Sequence, residues 1–154
     1  MKDSKKVFGF QKQLKIGDKG EKFFLKCYKN RGAKKVKIRD YDITIDDEQK
    51  VELKSDQYRM DETENFFFER YGNDNNMTNG GPWSALDNNV KYFVYCFVYD
   101  KTFFWFETNK LCEFLDNEIE NHKPKRIRNN GWASIGFAIP REKVQHLVIQ
   151  QDTF

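Results

Sequence analysis

Cysteine and histidine are scarce in this chain. Only Cys27, Cys96 and Cys112 occur in its 154 residues. They lie far apart, are odd in number and form no Cys-x-x-Cys pair, which argues against a disulfide framework and for reduced thiols. His122 and His146 are the only histidines, so zinc ligation has little to draw on. Neither has a serine or cysteine at a spacing that suggests a nucleophilic triad. Long apolar runs are missing too. The most apolar stretch, Tyr92 to Phe106, is broken by Asp100 and Lys101 and falls short of the ~20 residues of a membrane helix. No apolar segment follows the polar start, Met1 to Lys6, so no signal peptide is expected and a cytoplasmic location is. Excess charge of one sign is the last absence: 27 basic against 24 acidic residues leave +3, too weak a field to demand a polyanionic partner. No repeat, low-complexity tract or linker divides the chain. Its length suits a single domain, 1–154, that buries about 70% of the surface its unfolded form exposes.

Aromatic residues are plentiful. At 16% of the chain, with fifteen Phe among them, they can fill a core despite the 33% of charged residues. Phe24, Cys27 and Tyr28 recur at helical spacing, which predicts a helix over Gly17–Asn30 that ends near Gly32. Val36 to Ile45 alternates, with Ile43 and Ile45 on one face and Asp42 and Thr44 on the other. Asp46, Asp47 and Glu48 mark a turn, and Val51 to Lys54 resumes the alternation. These segments read as a hairpin. Asn65 to Arg70 reads as an aromatic strand, Gly72 to Gly81 as a loop and Trp83 to Asn88 as a helical turn. A second hairpin is expected over Val90–Tyr99 and Thr102–Glu107, then a helix over Asn109–Glu120. A strand over Trp132–Ile139 and a short helix opened by Pro140 complete the pattern.

The chemistry concentrates in the first hairpin. Glu52 and Lys54 share a strand face while Leu53 points to the core. With a three-residue loop, Asp46 to Glu48, Asp42 falls directly opposite Glu52, side chains about 5 Å apart. Like charges so placed are destabilising, and a bound cation removes that penalty. Oxygen-only ligation suits Mg²⁺ or Mn²⁺. Lys54 beside them could hold an attacking water or neutralise charge growing on a phosphorane. Together these groups equip a site for phosphodiester hydrolysis.

Asp42, then Glu52-Leu53-Lys54 on the next strand, after Glu21 on a preceding helix, resembles the PD-(D/E)XK, or restriction-endonuclease-like, nucleases over roughly Gly17 to Asp56. That resemblance implies a single-domain α/β sandwich with a central mixed β-sheet flanked by helices. It implies metal ligands at Asp42, Glu52 and the Leu53 carbonyl, Lys54 as the catalytic lysine, and Glu21 completing or supporting the metal shell. The residue before Asp42 is Tyr41 where the family pattern has proline, and Asp40, Asp46 and Asp47 are alternative acids. DNA is the expected substrate, with RNA not excluded. A homodimer would suit cleavage of two strands, and a catalytically silent nucleic-acid-binding module is the rival reading.

Basic residues cluster at Lys2, Lys5, Lys6, Lys12 and Lys15, at Arg31, Lys34, Lys35 and Lys37, and at Lys123, Lys125, Arg126 and Arg128. Each cluster could follow a phosphate backbone or simply be a solvated face. Trp83, after Gly80-Gly81-Pro82, could stack on a base or anchor the core. Ser55, Asp56 and Gln57 could support the metal shell or be plain strand-end polar residues.

Overall fold

A computed structural model describes the backbone of residues 2–38 and 41–154, and the side chains of 12–36 and 42–154. In chain order the main elements are α1 (Lys2–Cys27), β1 (Lys34–Ile38), β2 (Tyr41–Ile45), β3 (Gln49–Asp56), β4 (Asn65–Asn73) and β5 (Thr78–Asn79). There follow α2 (Gly81–Asp87), β6 (Tyr92–Phe97), β7 (Thr102–Glu107), α3 (Thr108–Glu118), β8 (Lys125–Arg128), β9 (Ala133–Pro140), α4 (Arg141–Val144) and β10 (Val148–Thr153).

Strands β6 and β7 are apolar at nearly every position, the pattern of strands covered on both faces. Val94, Cys96, Phe103 and Trp105 pack with Phe24 of α1 and with Tyr28 just after it. The alternate residues Phe93, Tyr95, Phe97, Phe104 and Phe106 enter a second cluster on the opposite side. These strands sit in a six-stranded sheet of order β1-β2-β3-β6-β7-β10. Its one parallel pair is β3 with β6; the other neighbours are antiparallel. The fold is therefore mixed α/β, with a mixed central sheet flanked by helices.

The second face is covered differently from the expectation of helices alone. Phe66 and Phe68 of β4 and Phe137 and Ile139 of β9 join α2 and α3 against it. They belong to a separate four-stranded antiparallel sheet of order β5-β4-β9-β8. Local pattern does not reveal β8, because all four of its residues are exposed. Val36 to Ile45 is not one strand but a paired β1 and β2, and α1 begins well before Gly17. No helix among the described residues is long and apolar enough to cross a membrane.

Candidate active site

The β2–β3 turn is three residues, Asp46, Asp47 and Glu48, all at positive φ (39°, 56° and 68°). Such conformations strain residues other than glycine, and Arg31 braces the turn. Its guanidinium holds the Asp46 carboxylate, and its carbonyl accepts the Asp46 N–H at 2.8 Å. The register Ile43 opposite Val51 follows, which makes Asp42 and Glu52 the next pair along. There the strands part. Pairing of β2 with β3 stops at Ile43, while β3 runs on beside β6 to Asp56. At the parting point the Leu53 N–H donates to the Asp42 carboxylate at 3.3 Å. The N–H and C=O of one residue in an extended strand point to the same edge, so the Leu53 carbonyl faces the gap as well.

The Asp42 and Glu52 carboxyls face each other across the parting strands, and each acts on the titration of the other. Burial raises the pKa of Asp42, and the Glu21 charge adds to this, while the Leu53 N–H and Lys35 oppose it. Glu52 is pushed up to about 9, first by burial, then by Asp42 and by Glu69. Two half-buried carboxyls placed opposite each other favour sharing a proton or a cation, because their mutual repulsion is only partly screened there. Lys54, two residues on, has the same strand face and lines an adjoining groove. It makes no ion pair with a described residue. Glu21 reaches the same place from α1. A Cβ at Gly20 would fall 2.0 Å from Ser55 Oγ, so glycine lets the helix sit directly on β3. Glu21, Asp42 and Leu53 then border one small cleft, with Glu21 paired to Lys35 at 2.9 Å.

No family model, no curated protein and no solved structure matches the chain. What its residues could hold must be judged from the donors present. Among the described residues no group of three or more His, Cys, Asp or Glu side chains gathers as a metal site. A Mg²⁺ or Mn²⁺ ion needs only one or two carboxylates, with waters completing its shell, so Asp42, Glu52 and the Leu53 carbonyl fit such an ion.

Of the alternative acids, Asp46 is committed to Arg31 and Asp47 is exposed in the turn, at the opposite end of β2 from Asp42. Asp40 lies outside the described residues, as do the side chains of Lys2, Lys5, Lys6 and Lys37. The described members of the second and third basic clusters disperse. Arg31 stacks on Trp105 with its guanidinium 4.7 Å from the ring centre, Lys35 holds Glu21 and Arg126 holds Asp74 at 2.8 Å. Lys34 and Arg128 are exposed but do not line the groove, and Lys125 does. Base stacking on Trp83 is corrected: the ring is only 5% exposed and its indole N–H donates to Asp116 at 2.8 Å, so it anchors the core. Ser55 lies under Gly20, and Gln57 lines the groove. His122 is held by Glu118, and His146 packs edge-on to Phe114.

The groove beside Lys54, about 630 Å³, brings in residues that the sequence pattern did not single out. Glu69 and Phe67 enter from β4 and Tyr95 from β6. The Tyr95 hydroxyl donates to the buried Asp56 and accepts the Phe67 N–H at 3.0 Å. Alternation along Phe66-Phe67-Phe68-Glu69 does put Phe67 and Glu69 on one face. What local sequence lacks is the long-range pairing that turns that face toward β3.

Proposed function

We propose that this chain is a divalent-metal-dependent nuclease of the restriction-endonuclease-like kind that hydrolyses DNA phosphodiester bonds. The observation that carries the reading is the placement of half-buried Asp42 opposite half-buried Glu52 where the strands part and the Leu53 N–H meets the Asp42 carboxylate, with a lysine that makes no ion pair among the described residues two positions further along the same face of β3. Stability alone disfavours such a pair, and cation ligation gives it a purpose.

Asp42, Glu52 and the Leu53 carbonyl would hold Mg²⁺ or Mn²⁺, with Glu21 supporting them from α1. The ion, when bound, supplies Lewis-acid polarisation of the phosphate and neutralises its charge. Lys54 orients the water that attacks phosphorus and stabilises the charge that builds on the phosphoryl oxygens. The new P–O bond forms as the bond to the leaving sugar oxygen breaks, and the proton lost by the water balances the one gained by that oxygen. Glu21 must leave Lys35 to contribute fully, so its share is smaller than that of Asp42.

Calorimetry with Mn²⁺ and a cleavage assay on plasmid, single-stranded and branched DNA test the assignment on shared variants. Asp42→Asn and Glu52→Gln should weaken metal binding and abolish cleavage. Lys54→Ala should keep the metal yet lose on the order of 3 kcal/mol of transition-state stabilisation, about a hundredfold in rate. Glu21→Gln should fall between the parent and Asp42→Asn. Lys54→Ala cleaving like the parent, or normal metal binding by Asp42→Asn and Glu52→Gln, would return the hairpin to a solvated strand face.

A further inference from the structure

We infer that the groove beside the hairpin takes one unpaired strand of DNA, a base laid against Phe67, rather than a duplex. The polymer's identity rests on the nuclease reading, and its strandedness rests on the groove. Size is the first observation. A half-open groove of about 630 Å³ lies between α1 and β3 on one side and β4, β8 and β9 on the other. That falls within the ~300–1,000 Å³ of sites that enclose a small molecule, whereas the major groove of a duplex is by itself ~12 Å wide. A duplex would rest on the rim; a nucleotide or two would enter.

The chemistry of the walls points the same way. Phe67, Ile127 and Ala138 set apolar surface beside Lys54 and Lys125, which face the groove from opposite walls. A duplex offers phosphates, sugars and base edges, and hides its base faces in the stack. Apolar walls would have nothing of it to bury. An unpaired strand exposes a π-face at every base, and stacking on an aromatic ring with cations on the backbone is the usual way of holding it.

Phe67 is also built as a platform. A Cβ at Gly136 would fall 2.4 Å from its Cζ and 2.7 Å from its Cε1, so only glycine at 136 lets the ring lie across β9. Its neighbours Phe66 and Phe68 are fully buried on the other face of β4, while Phe67 stays partly exposed. A partly exposed ring held over Gly136 in a groove that also holds Lys54 is placed for a base next to the reacting phosphate.

Fluorescence anisotropy with labelled oligothymidine and with a blunt duplex of equal length, in EDTA so that no cleavage intervenes, tests this directly. The single strand should bind about tenfold tighter than the duplex. Phe67→Ala should lose about tenfold or more of that affinity, as for one stacked base, while Phe67→Trp should retain it, which a mere packing role would not predict. Gly136→Ala, by lifting the ring, should share the loss, with thermal melts checking that each variant folds. Duplex binding as tight as single-strand binding, or an undiminished Phe67→Ala, overturns the inference. With Mg²⁺ restored the two readings separate. A chain that binds the single strand and cleaves nothing loses the nuclease reading and keeps the groove assignment. One that cleaves duplex through Asp42 regardless of Phe67 does the reverse.

Discussion

Several acids among the described residues of this protein are matched by a cation. Asp46 has Arg31, Asp74 has Arg126, and Glu118 has Lys143 together with His122. Asp42 and Glu52 instead have each other, in a setting that raises the pKa of both. Without metal such a pair subtracts from stability, and function is the usual reason that a fold tolerates it. In EDTA at pH 7, Glu52→Gln should therefore raise the unfolding free energy by on the order of 1 kcal/mol or more, because the fold keeps protonated a carboxyl that the unfolded chain leaves ionised. Urea denaturation measures this, and a loss of stability would instead make the carboxyl a structural hydrogen-bond partner. The cysteines are a contrasting case. Burial pushes the Cys96 and Cys112 thiols up to about 12, which leaves almost no thiolate at neutral pH. Iodoacetamide followed by mass spectrometry should find Cys27, which is partly exposed, labelled slowly, and the other two labelled only after unfolding.

Between elements, the Tyr95 hydroxyl ties the two sheets together. It joins β6 to Asp56 at the end of β3 and to the Phe67 N–H of β4. Tyr95→Phe would leave Asp56 without that donor and the amide without its acceptor. An unmet buried polar group costs roughly 1–3 kcal/mol, so the urea midpoint should fall accordingly; an unchanged midpoint would mean that water replaces the hydroxyl. This tie was not legible in the sequence, and the reason is distance along the chain. The β2–β3 hairpin was legible because its strand alternation and turn residues are neighbours, and the opposition of Asp42 and Glu52 follows from the loop length alone. The double-sided burial of β6 and β7 showed in their unbroken apolar runs. By contrast β4 pairs with β9 through Asn65 opposite Pro140, with β5, α2, β6, β7, α3 and β8 intervening. Nothing local announces that partnership. Trp83 was ambiguous for the same reason: the residue that settles it in the core, Asp116, is 33 positions away.

At the scale of the whole molecule the charge of the described residues is spread, not gathered. Arg31, Lys35 and Arg126 are already neutralised by partners, and the groove itself presents Lys54 and Lys125 next to Glu69 and Asp56. Three basic clusters in the sequence would suggest a long phosphate track, with steep loss of affinity in salt. The arrangement in space suggests about two phosphate contacts. For a single strand the slope of log affinity against log salt is about −0.7 per phosphate neutralised, so a slope near −1.4 is expected. Arg126 pairs with Asp74, and Arg128 shares its face of β8 by alternation, the face opposite Lys125. Lys125→Ala alone should therefore flatten the slope by about 0.7, and adding substitutions of Arg126 and Arg128 should change it little further. Anisotropy titrations with oligothymidine across a salt series measure all three slopes. A parent slope several times steeper, or a triple variant far flatter than Lys125→Ala, would mean that the strand leaves the groove and runs across the outer face of β8.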